Sequence, residues 1–326
     1  MIADTGRGFG RSFAVLMVSA FVAIFAALPL GYAAAQDATP VASPEAASAL
    51  AASGLPEITV TAKETIFSPK VPGAMLEGWY LITLVNDTDA VSSANLVMLP
   101  EGQTVGALTS LVSTAFQGEG GELPEWWTSA TFAGGNVAAA GETTQTLAYL
   151  TPGKWAIFSS NPAAVQSPSV FTILTPEEAE ANYGIAPATP TASPVAAGAP
   201  APAGVTAGST IDVNDTAITP AGAPPAAGEV VAEVTNSGEQ VHELILVKTD
   251  QQVDDAGAAA LATSYAKGEA LTGATVVGVL GTLGPGQTAY FATTLEPGTY
   301  VFFSSLPDAN GGLQSDAGLV LAFSIE

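Results

Sequence analysis

Short apolar segments separated by turn residues recur along most of the chain. Segments such as 58–61, 80–85 and 244–247 are rich in β-branched or aromatic residues. Gly, Pro, Asn and Asp residues lie between them, as in Asn236-Ser237-Gly238. This arrangement is typical of short strands joined by tight turns. The pattern predicts an all-β fold, either a sandwich or a Greek-key barrel.

Two segments have the spacing of helices instead. In the segment 103–117 the apolar residues form one stripe, made by Val105, Leu108, Leu111, Val112, Ala115 and Phe116. The segment 254–267 has a weaker stripe, with Asp254 placed to cap its first turn and Gly268 placed to end it. We expect both stripes to face a core rather than a ligand, because that is the usual role of an amphipathic helix.

The chain contains one domain twice. Residues 150–162 (LTPGKWAIFSSNP) match residues 295–307 (LEPGTYVFFSSLP), and the strand before Asn86 matches the strand before Asn236. Ordered agreement of this length indicates an internal repeat. We therefore predict a first copy at 57–175 and a second copy at 209–326.

The segments around the two copies are predicted to be linkers and an export signal. Residues 36–56 and 176–208 are rich in Ala and Pro and offer little bulky apolar surface, which is typical of tethers. Residues 1–35 contain two arginines, an apolar run at 13–28 and the sequence Ala33-Ala34-Ala35. This order predicts a signal peptide cleaved after Ala35 and an extracytoplasmic protein with no membrane span after signal removal. The alternative is an uncleaved anchor, although the run is shorter than the roughly 20 residues of a span.

Composition excludes several kinds of chemistry. The 326 residues include 7 basic and 30 acidic side chains, for a formal charge of −23, so nucleic acid is a poor partner. Cysteine is absent, which rules out disulfides, thiolate metal sites and Cys nucleophiles. A single histidine, His242, rules out a multi-histidine metal cluster.

The second copy resembles the cupredoxins, the blue-copper proteins. The resemblance is carried by an asparagine turn leading into a His-Glu strand (NSGEQVHELILVK), a PGTY-x-F hairpin and a final strand after Gly318. It implies two tandem Greek-key β-sandwiches, each with one inserted helix. In the family, this framework holds copper with a histidine, a cysteine, a second histidine and usually a methionine.

The positions of those four ligands are mostly occupied by other residues. By the resemblance, His242 stands at the first histidine, Ser304 at the cysteine, Gln314 at the second histidine and Leu319 at the methionine. In the first copy, Ala94 is aligned with His242 and Ser159 with the cysteine position. A type 1 copper site needs a thiolate and two imidazoles. We therefore expect a degenerate copper site, no bound metal and no cofactor, with copper as the alternative.

Other candidate residues offer weaker signals. His242 is either a residual ligand or proton donor, or a hydrogen-bonded remnant of the fold. The serine pairs at 159–160 and 304–305 lack a Gly-x-Ser-x-Gly elbow, so we expect no catalytic residue and no enzyme activity. Glu119, Glu122 and Glu125 surround Trp126-Trp127, which form either a binding surface or part of the core. Glu177, Glu178 and Glu180, which follow Pro176, are expected to cap a short helical turn rather than bind calcium.

The function expected from the sequence is that of an exported, non-enzymatic tandem protein. It would act as a binding or envelope-structural module with an unidentified protein or envelope partner. A copper-binding electron-transfer protein is the first alternative, since the family resemblance suggests it. A hydrolase that depends on His242 is the second, and no spacing in the sequence supports it.

Overall fold

The computed structural model describes residues 49–115, 123–160, 166–185, 199–308 and 311–326, all within one compact unit. The predicted signal peptide at 1–35 lies outside the described residues, as do residues 36–48 and 186–198 of the two predicted linkers. Among the described residues, no helix is long and apolar enough to cross a membrane.

Each copy consists of eight strands and one inserted helix within the described ranges. The first copy has β1 (Glu57–Ala62), β2 (Phe67–Lys70), β3 (Gly78–Asn86), β4 (Ser92–Met98), α1 (Val105–Ala115), a 3-10 helix (Glu125–Ser129), β5 (Thr131–Ala138), β6 (Thr143–Leu150), β7 (Gly153–Phe158) and β8 (Ser169–Ile173). A short helix, α2 (Pro176–Tyr183), follows it. The second copy has β9 (Ser209–Asn214), β10 (Ala217–Ala221), β11 (Gly228–Asn236), β12 (His242–Thr249), α3 (Asp255–Ala266), β13 (Ala274–Leu283), β14 (Thr288–Leu295), β15 (Gly298–Phe303) and β16 (Val320–Ile325).

The strands form two eight-stranded sheets, and each copy gives four strands to each sheet. The first sheet has the order β10-β9-β11-β14-β6-β3-β1-β2, and the second has the order β16-β15-β12-β13-β5-β4-β7-β8. Reading either order from its two ends gives equivalent strands of the two copies, so the repeat produces a pseudo-two-fold arrangement. The predicted all-β sandwich fold and the helix between the fourth and fifth strands of each copy are confirmed.

The core of each copy lies between the two sheets. Tyr80, Ile82 and Leu84 of β3 belong to the core of the first copy, whereas Trp79 and Leu81 belong to a separate cluster on the outer face of the sheet. Successive strand residues point to opposite faces, so this strand is apolar on both sides. The same division separates the inward Phe291 from the outward Tyr290 on β14.

The predicted helix ends are set by local capping. Asp254 accepts a hydrogen bond from the Gly257 N–H at 2.9 Å, as an N-cap residue does, and α3 runs from Asp255 to Ala266. Helix α1 begins at Val105, and the residues beyond Ala115 in the predicted stripe lie outside the described part of the chain. Thr175 and Glu178 form a capping box at the start of α2.

The two copies are joined edge to edge rather than held apart. Strand β14 pairs antiparallel with β6, with Ala289 opposite Ala148, and β13 meets β5 at Leu283 and Ala133. The side chain of Asn95 on β4 also accepts a hydrogen bond from the Thr282 N–H of β13 at 2.9 Å. Both sheets therefore continue through the junction. Where each copy begins and ends as a folding unit stays a prediction.

Gly281 on β13 lies so close to the first copy that a larger residue would disturb the junction. A Cβ atom at Gly281 would collide with Oδ1 of Asn95 and lie 3.2 Å from Cα of Gly135. We predict that Gly281→Ala lowers the free energy of unfolding by about 1–3 kcal/mol, the usual cost of overpacking. Urea denaturation followed by circular dichroism measures it.

A matched control is Gly106→Ala on α1. A Cβ there would meet only Oγ1 of Thr104, at 3.6 Å. Because alanine favours helix over glycine, this variant is expected to gain about 0.5–1 kcal/mol. Equal stability changes in both variants would contradict the close approach at the junction.

Candidate functional site

His242 is the first residue of β12 and is almost completely buried, with 2% of its surface exposed. Its Nδ1 atom lies 2.8 Å from Oε1 of Gln314, and its Nε2 atom lies 3.0 Å from Oδ1 of Asp215. Both ring nitrogens therefore face oxygen acceptors within the second copy.

The other residues that the resemblance aligned with copper ligands lie next to His242. The hydroxyl of Ser304, which follows β15, donates a hydrogen bond to Oε1 of Gln314 at 2.8 Å. The N–H of Ser304 donates to the carbonyl of Leu319, and the N–H of Leu319 donates to the carbonyl of Gln314. The structure thus places together His242, Ser304, Gln314 and Leu319, the four residues that the sequence resemblance assigned to the site.

The orientation of the Gln314 amide is fixed by the backbone. Its Nε2 atom donates to the carbonyl of Val241 at 2.8 Å, so Oε1 must face His242 and Ser304. An amide oxygen can only accept, which requires His242 to donate from Nδ1. A carboxylate also only accepts, so the Nε2 contact to Asp215 is a hydrogen bond only if Nε2 donates. Gln314 therefore occupies the Nδ1 side of the ring, and the carboxylate of Asp215 occupies the Nε2 side.

Asp215, in the turn after β9, is the member of this network that the sequence did not indicate. Its carboxylate accepts from the N–H groups of Gln240 and Glu239, each at 3.0 Å. Desolvation of the carboxylate raises its pKa, but the hydrogen bonds from these two N–H groups and from His242 outweigh it, so the pKa of Asp215 is lowered. No motif links Asp215 to His242, since the two meet only through the fold.

The residues at this site do not fit a type 1 copper ion. A serine hydroxyl, an amide and a leucine side chain replace the thiolate, the second imidazole and the thioether, and both nitrogens of the remaining imidazole face acceptors. Copper of this type requires a soft thiolate with two imidazoles. Among the described residues, no group of three or more His, Cys, Asp or Glu side chains could hold a metal ion.

Strand pairing corrects one alignment made from the sequence. Ile245 pairs with Phe303 in the second copy, and Asn95 pairs with Phe158 in the first. The residue that corresponds to His242 is therefore Ser92, and the prediction of Ala94 was wrong by two positions. Because strand side chains repeat every two residues, the incorrect register kept the same face and left the apolar pattern unchanged.

The first copy has a network of hydroxyls at the equivalent end. Oγ of Ser93 lies 2.8 Å from Oγ of Ser159 and accepts from the N–H of Ser160 at 3.0 Å. The side chain of Asn95 donates to Oγ of Ser160 at 2.9 Å and reaches the second copy through Thr282. In these contacts the serine pair at 159–160 acts as a packing element that ties β4 to the junction.

Glu243, adjacent to His242, is a buried acid on the opposite face of β12. Its Oε1 accepts hydrogen bonds from both the N–H and the hydroxyl of Ser305. Desolvation raises the pKa of Glu243, and the two bonds from Ser305 offset only part of that effect. Burial raises the pKa of Tyr265 on α3, and the nearby charge of Glu243 raises it further.

Trp127 belongs to a core cluster, which agrees with one of the two alternatives for the tryptophan pair. Its ring lies 4.3 Å from that of Phe132, and only 4% of its surface is exposed, whereas Trp126 is partly buried beside it. Val241 and Leu306 of the second copy join this cluster. Glu125 is exposed, while Glu119 and Glu122 lie outside the described residues.

Solved structures similar to part of the chain include auracyanins and an azurin. Reduced auracyanin from Roseiflexus castenholzii is 19% identical, and the match covers 36% of this chain and 94% of that chain with a TM-score of 0.28. Azurin Az-iso2 from Methylomonas sp. strain J is 15% identical, and the match covers 36% of this chain and 95% of that chain with a TM-score of 0.27. Auracyanin A from Chloroflexus aurantiacus, a blue copper protein, is 16% identical, and the match covers 36% of this chain and 97% of that chain with a TM-score of 0.27. All three are cupredoxins.

No protein-family model matches the chain, and no curated protein matches it. The strand order and register themselves show the all-β architecture of two sheets that the sequence predicted.

The Asp215–His242 contact is expected to stabilise the fold only while Asp215 is ionised. Its pKa is lower in the folded chain than in the unfolded chain, so the contribution is complete above the unfolded value and is lost as pH falls through the folded value. We predict that Asp215→Asn lowers the free energy of unfolding by about 1–2 kcal/mol at pH 7, and by progressively less in acid. Urea denaturation at several pH values measures this difference.

Glu296→Gln provides the control for this experiment. Glu296 is an exposed carboxylate whose pKa is lowered by a hydrogen bond from Lys248, 2.6 Å away. Exposed ion pairs contribute little, so this variant should behave almost as the parent. A loss in Asp215→Asn that does not change with pH would count against the proposed dependence on ionised Asp215.

Glu243 is expected to influence stability in the opposite direction. Its pKa is higher in the folded chain, so its burial costs nothing below the unfolded pKa, and the cost grows as pH rises towards the folded pKa. We predict that, relative to Glu243→Gln, the parent loses stability as pH rises, by about 1.4 kcal/mol for each unit by which the pKa is raised. Exposed Glu229→Gln is the control, and a pH-independent difference for Glu243→Gln would refute the prediction.

Proposed function

We propose that this chain is an exported, non-enzymatic tandem cupredoxin-like protein without type 1 copper chemistry, acting as a binding or envelope-structural module. One observation carries the proposal. Oε1 of Gln314 accepts hydrogen bonds from both His242 and Ser304, so side chains at the former ligand positions bind one another.

The network supports a role without a metal because its side chains hydrogen-bond to one another and to the backbone. The amide nitrogen of Gln314 is used by the carbonyl of Val241, and Asp215 completes the partners of His242. Buried polar groups are costly unless they are satisfied. Binding a metal through His242 would require breaking one of these contacts without a thiolate to compensate.

The state of Ser304, the hydroxyl at the described site, supports a non-enzymatic role. The hydroxyl of Ser304 donates to Gln314 rather than to His242, and it is fully buried. Nucleophilic catalysis needs a base within reach of the hydroxyl and access for a substrate. The hydrolase alternative therefore gains no support from the second copy.

The proposed location outside the cytoplasmic membrane is supported by the N-terminal sequence. The basic residues, apolar run and Ala33-Ala34-Ala35 have the order of a cleavable export signal. A chain without cysteine also suits an oxidising compartment. With a formal charge of −23, the chain would bind basic rather than acidic envelope partners.

Copper titration and reconstruction test the proposal. We predict that the parent chain takes up no stoichiometric copper and shows no thiolate-to-copper absorbance. The triple variant Ser304→Cys, Gln314→His and Leu319→Met should become coloured with one copper per chain, because it restores the thiolate, imidazole and thioether beside His242. Absorbance spectra and metal analysis after desalting measure both results.

Two single variants control for the position of the thiolate. Ser304→Cys alone lacks the second imidazole, and Ser159→Cys places a thiolate at the equivalent position of the first copy, where Ser92 replaces the histidine. Neither should form a stable blue site. A stoichiometric copper complex of the parent would overturn the proposed function, and a folded but colourless triple variant would overturn the assignment of the positions.

A further inference from the structure

An aromatic cluster crosses the junction on the outer face of the first sheet. The ring of Trp79 packs edge-on against Tyr149 of the first copy at 5.5 Å and against Tyr290 of the second copy at 5.3 Å. We call these three residues the aromatic cradle. The hydroxyls of the two tyrosines donate to Glu77 and Glu233 at the rim, which orients the rings.

A segment of the predicted linker lies on this cradle. The indole N–H of Trp79 donates to the carbonyl of Pro200 at 2.6 Å, and Pro202 is buried. Ala199, Val205 and Ala207 pack against the same cluster. Residues 199–207, called the docking segment, are therefore not a free tether, although the linker residues at 186–198 lie outside the described part of the chain.

The chemistry of this contact is that of proline-rich peptide recognition. Ala199, Val205 and Ala207 supply the apolar contacts to the cluster, and the indole N–H of Trp79 donates to a proline carbonyl, as in the recognition of proline-containing peptides by aromatic-lined grooves. Proline restricts the unbound peptide, so less entropy is lost on binding. The cradle supplies both elements from residues of two copies.

The segment before the first copy repeats the arrangement. Leu50, which is fully buried, and Leu55 pack in the same cluster. Gly54 and Gly204 both have positive φ angles, 68° and 78°, so the two segments turn at corresponding points. The preceding sequences, ATPVASPEAAS at 38–48 and ATPTASPVAAG at 188–198, are also alike. Two related segments thus converge on one surface.

We propose that the aromatic cradle is a binding surface for Ala/Pro-rich peptide, and that the chain's own docking segment occupies it in cis. The docking segment is tethered, so it competes with any second peptide at an effective concentration of about a millimolar. Release of the segment opens the cradle to the same chemistry in trans. The cradle lies on the opposite sheet from His242, so this proposal does not depend on the proposed function.

Peptide binding to an opened cradle tests the proposal. In the full chain, residues 199–206 are replaced by a Gly/Ser segment of equal length, and a labelled peptide with the sequence of residues 195–207 is titrated by fluorescence anisotropy. The peptide is expected to bind the Gly/Ser chain at least tenfold more tightly than the parent chain, because the cis competitor is gone. Trp79→Phe in the Gly/Ser chain should weaken binding roughly three- to tenfold, the effect of one lost hydrogen bond.

Controls separate recognition by the cradle from nonspecific adhesion. Trp126→Phe in the Gly/Ser chain removes a tryptophan of another cluster and should leave binding unchanged. A peptide with both prolines replaced by glycine should bind more weakly. If the Gly/Ser chain does not fold, Pro202→Gly in the parent chain is used instead. This change loosens the docking segment, so the peptide should bind the variant more tightly than the parent, although less tightly than expected for the Gly/Ser chain. Absence of binding to whichever of these chains folds, or equal binding after Trp79→Phe, would overturn the proposal.

Discussion

Antiparallel pairing across the junction is the interaction on which the rest of this structure depends. Strand β6 pairs with β14 and strand β5 with β13, so the inner edges of both sandwiches are covered by the other copy. An unpaired strand edge is a site of unwanted association. The same pairing brings Asn95 to Thr282 and places Val241 and Leu306, which flank the polar site, against the Trp127 cluster of the first copy. The environment of the polar site in one copy is thus set partly by the other.

The polar site shows why the former ligand positions depend on one another. Gln314 uses its amide nitrogen on a backbone carbonyl and its oxygen on two side chains, and His242 uses both nitrogens. Removing one partner of a buried network leaves the others unsatisfied at a cost of about 1–3 kcal/mol for each group. Each polar side chain at the site therefore depends on the others for its hydrogen bonds, and these bonds satisfy the side chains without a metal.

Local patterns predicted much of the fold, while long-range partners could not be predicted. Alternating apolar residues gave the strands, Asp254 gave the start of α3, and the matched hairpins gave the repeat. The resemblance also placed Gln314 and Ser304 beside His242. Asp215 was not predicted because the sequence of a turn does not indicate which distant side chain its aspartate will contact. The junction was not predicted because the strands that form it have the same kind of apolar pattern in the sequence as the other strands.

The docked ends of the linkers were missed for a related reason. Ala/Pro-rich sequence offers little apolar area of its own, so composition predicts a tether. The stabilising surface belongs to Trp79, Tyr149 and Tyr290, which lie far from the docking segment in sequence and come together only at the junction. A segment with low burial capacity becomes ordered when another part of the fold supplies the apolar surface.

In each copy, the imidazole and the carboxylate that faces it are either both present at the site or both absent from it. Strand registers make Glu64 the counterpart of Asp215 and Ser92 the counterpart of His242. In the first copy, which lacks the imidazole, Glu64 is exposed to solvent rather than directed to a buried partner. A buried charge without its partner is far more costly than a neutral pair of the same shape. The first copy fills this position with hydroxyl groups, and the second fills it with an imidazole that contacts a carboxylate. An imidazole without its carboxylate, or a buried carboxylate without its imidazole, would lack a partner.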